Sequence, residues 1–98
     1  MHSAILAAEL PPDNRAGRET WQLFSAMIAD LKGDPGIKQL GPNVWQTNFQ
    51  QSPYVLARLV SACEKTRLRY QVLPFDSEPA WKQGGDFKAV VAQDEEAS

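Results

Sequence analysis

Breaks rich in proline and glycine divide the first 75 residues into short segments, and this spacing limits the fold more than any other feature. The breaks fall at 11–12, 33–35, 41–43 and 52–53. Proline lacks a backbone N–H, and glycine commonly ends helices in the left-handed region, so a long regular element does not continue through such a break. The chain must therefore fold from single short helices and strands.

The segment after the first break has the pattern of an amphipathic helix. Apolar residues recur at intervals of three and four from Trp21 to Leu31. Asp13 or Asn14 precedes them as a possible N-cap. We expect this helix to end near Lys32, where a glycine suited to the left-handed position follows.

A second helix is predicted after the last break. Ser52 is suited to the N-cap and Pro53 to the first helical position. An apolar stripe then runs at helical spacing from Val55 to Cys63, and the helix should end near Thr66. Cys63 lies in the stripe, so we interpret it as a core residue.

The remaining segments are predicted to be strands. Alternation is clearest in the third, where Trp45, Thr47 and Phe49 point to one side. Pro74 weakens the end of the fourth and indicates an edge position or the exit of the chain from the strand. The predicted strands are 3–10, 37–40, 44–50 and 68–75. The second and third should form a hairpin, because a glycine, a proline and an asparagine separate them.

The resulting βαββαβ order predicts an α+β fold of the ferredoxin-like kind. Two helices would cover one face of an antiparallel sheet. The 98 residues, 43% of them hydrophobic, suit one domain with one modest core. We place that core at about 3–75, a C-terminal extension with a short strand at 76–92, and an acidic tail at 93–98.

Composition excludes several classes of protein. The net charge of -2 argues against a strongly basic nucleic-acid binder. One cysteine cannot form an internal disulfide, and one cysteine with one histidine, His2, is too few for a zinc site. We expect no metal and no cofactor, no signal peptide, no membrane association and a cytoplasmic location.

Glu9 and Asp13 are the candidate catalytic residues. Both follow the first predicted strand, and one or two carboxylates with water and phosphate can hold Mg²⁺. The alternative is that they are solvated or ion-paired. Whether the chain is an enzyme stays open, although a non-catalytic role is favoured.

Candidate binding residues are aromatic or basic. Trp45, Phe49 and Tyr70 can stack on bases if they lie on an open sheet face, although the sequence lacks the RNA-recognition consensus. The alternative is a place in the core or at a dimer face. Trp81 lies beyond the last main strand, where it can clamp the C-terminal extension onto its own sheet or onto a partner.

A local group of basic residues gives a further candidate contact. Arg58, Lys65, Arg67 and Arg69 fall around the second helix and its end, where they can bind phosphate. The alternative is a solvated helix face.

The segments GIKQLGPNVWQTNF and RLRYQVLPFD complete a pattern over about residues 3–75 that resembles a known group. It is similar to the small ferredoxin-like subunit of CRISPR adaptation and to virulence-associated protein D. The resemblance implies a homodimer in which a C-terminal strand, here Phe87 to Val91 with Gly84 and Gly85 as hinge, extends the other subunit's sheet. It also implies a divalent-metal nuclease in some members, with Glu9 standing where they have aspartate.

Three functions are therefore compared. The first is a non-catalytic binding or assembly protein that acts as a homodimer through its sheet or its C-terminal strand. The alternatives are a metal-dependent nuclease, for which alone Mg²⁺ would be expected, and a small-molecule-binding regulatory domain. A protein partner is possible under the first, and nucleic acid under the second.

Overall fold

The computed structural model describes residues 1–77 and 79–81. It contains four strands, two α-helices and a short 3-10 helix that follows the first α-helix. In chain order these are β1 (Ser3–Ala8), α1 (Arg15–Met27), the 3-10 helix (Ala29–Leu31), β2 (Ile37–Gly41), β3 (Val44–Asn48), α2 (Val55–Thr66) and β4 (Tyr70–Phe75). The predicted hinge at 84–85, the strand at 86–92 and the tail lie outside the described residues.

The sheet confirms the predicted α+β architecture. Its strand order is β2-β3-β1-β4, and every neighbouring pair is antiparallel. Because β1 lies between β3 and β4, and β3 lies between β2 and β1, each helix connects two strands that are not neighbours. This is the split βαβ arrangement. The edge position of β4, expected from Pro74, is also confirmed among the described strands.

The strand register divides the side chains between two faces. Leu6 in β1 pairs with Trp45 in β3 and with Val72 in β4, so these side chains share the face that the helices cover. The next residue, Ile5, pairs with Gln46 and Leu73 and therefore marks the opposite face. We call this second face the open face.

The core lies between the helices and the covered face. The Phe24 ring of α1 stacks on Trp21 at 5.0 Å between centroids and meets Trp45 at 5.6 Å. Such aromatic pairs contribute about 0.5–1.5 kcal/mol beyond the area they bury. The buried core also includes these aliphatic and small residues: Leu6, Ala8, Leu31, Val55, Leu59, Ala62, Cys63 and Leu68. The apolar stripes predicted for both helices therefore face inward.

The start of α1 confirms one predicted cap. The Asn14 side chain accepts a hydrogen bond from the Gly17 N–H at 2.8 Å. A Cβ atom on Gly17 would lie 1.9 Å from the Pro12 carbonyl oxygen, so the loop approaches the helix too closely for any other residue. α1 ends at Met27, earlier than the expected end near Lys32. A 3-10 helix then carries the chain to Leu31.

The start of α2 corrects a second predicted cap. Ser52 does not cap the helix, which begins at Val55 after Tyr54. The Ser52 hydroxyl instead donates to the Asp34 carboxylate, so it is not available to the helix N-terminus. The predicted end is confirmed: α2 stops at Thr66, and Arg67 takes the left-handed conformation with φ of 58°.

All four strands differ from prediction at their ends. β2 runs to Gly41, one residue beyond the predicted range. β1 stops at Ala8 rather than residue 10, and β4 begins at Tyr70 rather than residue 68. β3 ends at Asn48, which leaves Phe49 outside the alternation expected for it. The Phe49 N–H donates to the His2 carbonyl at 2.9 Å, so the chain stays beside the start of β1 after β3 ends.

Candidate functional site

β4 is an outer strand whose apolar side chains are exposed on both faces. Leu73, on the open face, is 58% exposed, and Val72, on the covered face, is 37% exposed. A residue on the covered face is normally buried, as Leu6 is beside it. The helices therefore cover the middle of the sheet and leave its β4 side accessible.

The backbone of β4 shows which groups point away from the sheet. The Glu9 N–H donates to the Arg69 carbonyl at 2.7 Å, which makes Ala8–Tyr70 a non-hydrogen-bonded pair. Because such pairs alternate along an antiparallel ladder, Val72 and Pro74 also direct their backbone groups outward. Proline has no N–H, so the outward donors of β4 are those of Tyr70 and Val72.

Tyr70, a predicted binding residue, has a structural partner at the start of this edge. Its hydroxyl donates to the Glu64 carboxylate of α2 at 2.6 Å, and its ring packs against the core. The hydrogen bond to Glu64, aided by desolvation, raises the pKa of the Tyr70 hydroxyl. The side chain thus ties β4 to α2 and does not lie on the open face.

Trp45 and Phe49, the other two aromatic residues predicted to bind, do not offer rings on the open face on which bases could stack. Trp45 is buried against Phe24, which is the core alternative that the sequence left open. Phe49 is half-buried beyond the end of β3. The structure therefore does not bring Trp45, Phe49 and Tyr70 together on one accessible surface.

Trp81 contacts the open face of its own sheet. Its indole Nε1 donates to the Gln46 side-chain oxygen of β3, while about half of the residue remains exposed. Nearer to β4, the Ser3 hydroxyl donates to the Ser77 carbonyl at 3.2 Å. These two bonds lead the chain from β4 back across β1 to β3, as the self-clamp interpretation of Trp81 requires.

The predicted basic group is divided between two ends of α2. Arg58 lies in the first turn and binds Asp30, whereas Arg67 and Arg69 follow the helix. At about 1.5 Å per residue, Arg58 and Arg67 are about 13 Å apart along the axis. Arg67 and Arg69 both line an open cleft beside Glu9, and Lys65 lies in the last turn of α2 before them.

Glu9 and Asp13 have different surroundings. Glu9 is exposed just after β1, in a cleft of about 370 Å³ that also contains the two arginines. Asp13 forms a 3.2 Å ion pair with Arg18, and its side chain is almost fully exposed. Within residues 1–77 and 79–81, no group of three or more His, Cys, Asp or Glu side chains is arranged to hold a metal ion.

The opposite edge of the sheet carries a groove that the sequence did not indicate. It lies between α1 and the outer strand β2 and has a volume of about 590 Å³. Trp21, Ser25 and Ile28 form the helix wall, and Ile37 and Gln39 line the strand side. Nothing in the periodicity of either segment gives this groove, because it depends on how far α1 stands from the sheet edge.

A polar network around Asp34 was also missed. Its carboxylate accepts hydrogen bonds from the Ser52 hydroxyl, the Tyr54 hydroxyl and, at 2.8 Å, the Gly36 N–H. The hydrogen bond from Ser52, followed by those from Tyr54 and Gly36, lowers the pKa of Asp34. The loop before β2 is thus joined to the start of α2. Asp34 and Ser52 lie 18 residues apart in the sequence, so no local pattern indicates that they are hydrogen-bonded.

Comparisons with known proteins give this chain no relative. No family model matches it, and neither does any curated protein or solved structure. Among the described residues, no helix is both long enough and apolar enough to cross a bilayer. The edges and clefts of the described domain are therefore its candidate functional surfaces.

Proposed function

We propose that this chain is a small non-catalytic assembly module that forms a homodimer by pairing the β4 strands of two copies. The observation that carries the proposal is the exposure of apolar side chains on both faces of β4, with Val72 and Leu73 at its centre. An outer strand with free backbone groups and apolar side chains is a template for another strand. A domain of this size also gains from the additional burial.

The outward groups of β4 favour an antiparallel pairing centred on Val72. Each Val72 would donate its N–H to the carbonyl of the other copy, and each Tyr70 N–H would reach the opposite Pro74 carbonyl. Pro74 has no N–H to return, so the pairing stays short. The contact is isologous, meaning that the same residue meets itself across a two-fold axis.

The surroundings of the two candidate carboxylates support a non-catalytic role. Asp13 is paired with Arg18, and Glu9 shares its cleft with Arg67 and Arg69. Cations beside a carboxylate compete with a metal ion for it. The edge strand, in contrast, is exposed and apolar, as a pairing surface requires.

The self-contact of Val72 gives a sharp test. Val72→Lys and Val72→Glu should each be monomeric in sedimentation analysis, because like charges meet directly on the axis. An equimolar mixture of the two variants should regain a dimer, since lysine then meets glutamate. Leu23→Lys is the matched control, because Leu23 is 53% exposed on α1, away from β4. This variant should dimerise as the unaltered chain does.

The proposal fails if the unaltered chain is a monomer at every accessible concentration. It also fails if the chain dimerises but neither Val72 variant weakens the dimer. Loss of dimer in both variants without recovery in the mixture would place the contact away from a Val72 two-fold axis.

A further inference from the structure

We propose that the groove between α1 and β2 binds an extended peptide of a partner protein, with apolar residues at alternate positions and acidic residues at its ends. This peptide would add a strand to the β2 edge. The proposal is independent of pairing at β4, because the two edges lie at opposite sides of the sheet.

The free backbone groups of β2 can be assigned from its register. The Asn48 N–H donates to the Gly36 carbonyl at 2.8 Å, so Ile37–Thr47 is a non-hydrogen-bonded pair. Gln39–Trp45, two residues further along β2, is also a non-hydrogen-bonded pair. Gln39 therefore directs both its N–H and its carbonyl away from β3, toward the free edge. Ile37 offers only its carbonyl, because its N–H already reaches the Asp34 carbonyl at 3.3 Å.

The groove lies where the side chains of an added strand would point. Strands pair at about 4.8 Å, and alternate side chains of the new strand would project toward the helix side of the sheet. On that side they meet Trp21 of α1 and Ile28 just after it, with Ile37 beside them. Backbone bonds then supply affinity, and the groove supplies specificity for apolar alternate residues.

The charges around the edge favour an acidic partner. Lys32 lies at the groove and Lys38 on β2 itself, and neither forms an ion pair with the described residues. The acidic residues on this side already have partners: Asp30 binds Arg58, and Asp34 holds the Ser52 network. Lys38 pairs with Gln46 and so lies on the open face, toward which the residues between the apolar ones of an added strand would point, whereas Lys32 lies at the groove. Both lysines therefore favour carboxylates on a bound peptide.

The β4 edge is less suited to the same peptide. Pro74 removes one of its outward donors, and no helix wall faces Val72 closely enough to bury it. β2 contains no proline, and α1 stands beside it. An incoming peptide with alternating apolar residues thus has both a ladder and a groove only at β2.

The test is a titration of the full chain with a labelled peptide, EVTVTVE, followed by fluorescence anisotropy. We expect saturable binding, at least about tenfold weaker for KVTVTVK, because its lysines point to the open face, where Lys38 lies. EVTPTVE should not bind, since proline interrupts the ladder. The absence of EVTVTVE binding up to about 1 mM overturns the proposal.

Variants of the protein locate the site. Gln39→Pro removes an outward N–H while leaving the bonds to β3, so it should abolish binding in a chain whose circular dichroism is native. Ser25→Trp fills the groove from an exposed helix position and should also abolish binding, whereas Leu23→Trp, on the same helix but outside the groove, should not. If Gln39→Pro fails to fold, the comparison of Ser25→Trp with Leu23→Trp still tests whether the peptide binds in the groove.

Two further outcomes would overturn the proposal. Binding that survives Ser25→Trp, or that is lost in Val72→Lys, would place the peptide elsewhere. Dissociation of a dimer by Ser25→Trp would show that a second copy of this chain, and not a partner peptide, occupies the groove.

Discussion

Arg58 and Asp30 join the first turn of α2 to the 3-10 helix after α1 through two parallel hydrogen bonds. The Arg58 Nη1–Asp30 Oδ2 distance is 2.9 Å, and the Nη2–Oδ1 distance is 2.7 Å. The same Nη2 donates to the Met27 carbonyl at the end of α1. A planar guanidinium makes the two parallel bonds to the carboxylate from two separate nitrogens, a geometry that the single nitrogen of an ammonium group does not reproduce.

Replacing Arg58 with lysine should therefore lower the melting temperature slightly, although the charge is kept. The loss should be small because the pair is largely exposed to solvent. Arg15→Lys is the matched control, since Arg15 makes a single bond to Glu19 at the surface. Equal melting temperatures for Arg58→Lys and the unaltered chain would show that the paired geometry adds nothing to stability.

Replacing Arg67 with glycine should make the protein more stable. It holds φ of 58°, a left-handed conformation that costs a residue with a Cβ about 1 kcal/mol. Arg67→Gly should raise the free energy of unfolding by roughly 0.5–1 kcal/mol in urea denaturation. Lys65→Gly, two residues earlier inside α2, should lower it by about 1 kcal/mol. A decrease for Arg67→Gly would mean that its side chain stabilises the helix end more than its backbone strains it.

Gly17 should not tolerate alanine, although alanine normally favours helices. A Cβ atom there would meet the Pro12 carbonyl, a backbone atom already bound to the Asn14 N–H at 2.9 Å. We expect Gly17→Ala to lower the free energy of unfolding by roughly 1–3 kcal/mol, as overpacked sites do. Ser25→Ala on the same helix should be neutral or stabilising. A stabilised Gly17→Ala would show that the loop at Pro12 moves freely away from α1.

The sequence predicted the features that depend on local chemistry. The stripe from Trp21 to Leu31 gave the buried face of α1, and Pro74 gave an edge strand, because both depend on the spacing or backbone of neighbouring residues. Alternation in β3 separated Trp45 from Gln46 but did not say which face the helices cover. Because the helices cover the Trp45 side, Trp45 lies in the core, and Gln46 on the open face accepts the hydrogen bond from Trp81.

Contacts between distant loops were beyond local patterns. Ser52 has the residue type and position of an N-cap, yet its hydroxyl donates to Asp34 in the loop before β2. The same limit applies to Arg58, which the sequence grouped with Arg67 and Arg69. Its partner Asp30 comes from the turn after α1, 28 residues away, so proximity in the chain misassigned it.

The Asp34 network should make stability fall at acid pH. Hydrogen bonds from Ser52, Tyr54 and Gly36 lower the pKa of Asp34 in the folded state. Its contribution is therefore present above the unfolded pKa of about 3.9 and is lost as the pH falls through the folded pKa. Asp34→Asn should flatten the acid limb of the curve of unfolding free energy against pH. An unchanged acid limb would show that Asp34 does not contribute to it.

Tyr54 gives the alkaline counterpart of that dependence. Its hydrogen bond to Asp34 raises the pKa of the Tyr54 hydroxyl, so its contribution is complete below the unfolded pKa of about 10 and is lost as the pH rises through the folded pKa. Tyr54→Phe should reduce the loss of stability above about pH 10. Tyr70→Phe serves as a comparison, because Glu64 raises the pKa of Tyr70 in the same way. If urea denaturation finds the same loss of stability above about pH 10 in Tyr54→Phe as in the unaltered chain, the bond between Tyr54 and Asp34 is not its cause.

Cys63 should be almost inert to thiol reagents while the chain is folded. Its side chain is fully buried in the core, and burial raises the pKa of the thiol to about 11. Only the thiolate reacts, so both the small thiolate fraction at neutral pH and the lack of access slow the reaction. The rate with a chromogenic disulfide should rise in urea in step with the unfolded fraction. Rapid reaction without urea would mean that α2 opens locally around Cys63, and the buried core assigned to this helix would then be wrong.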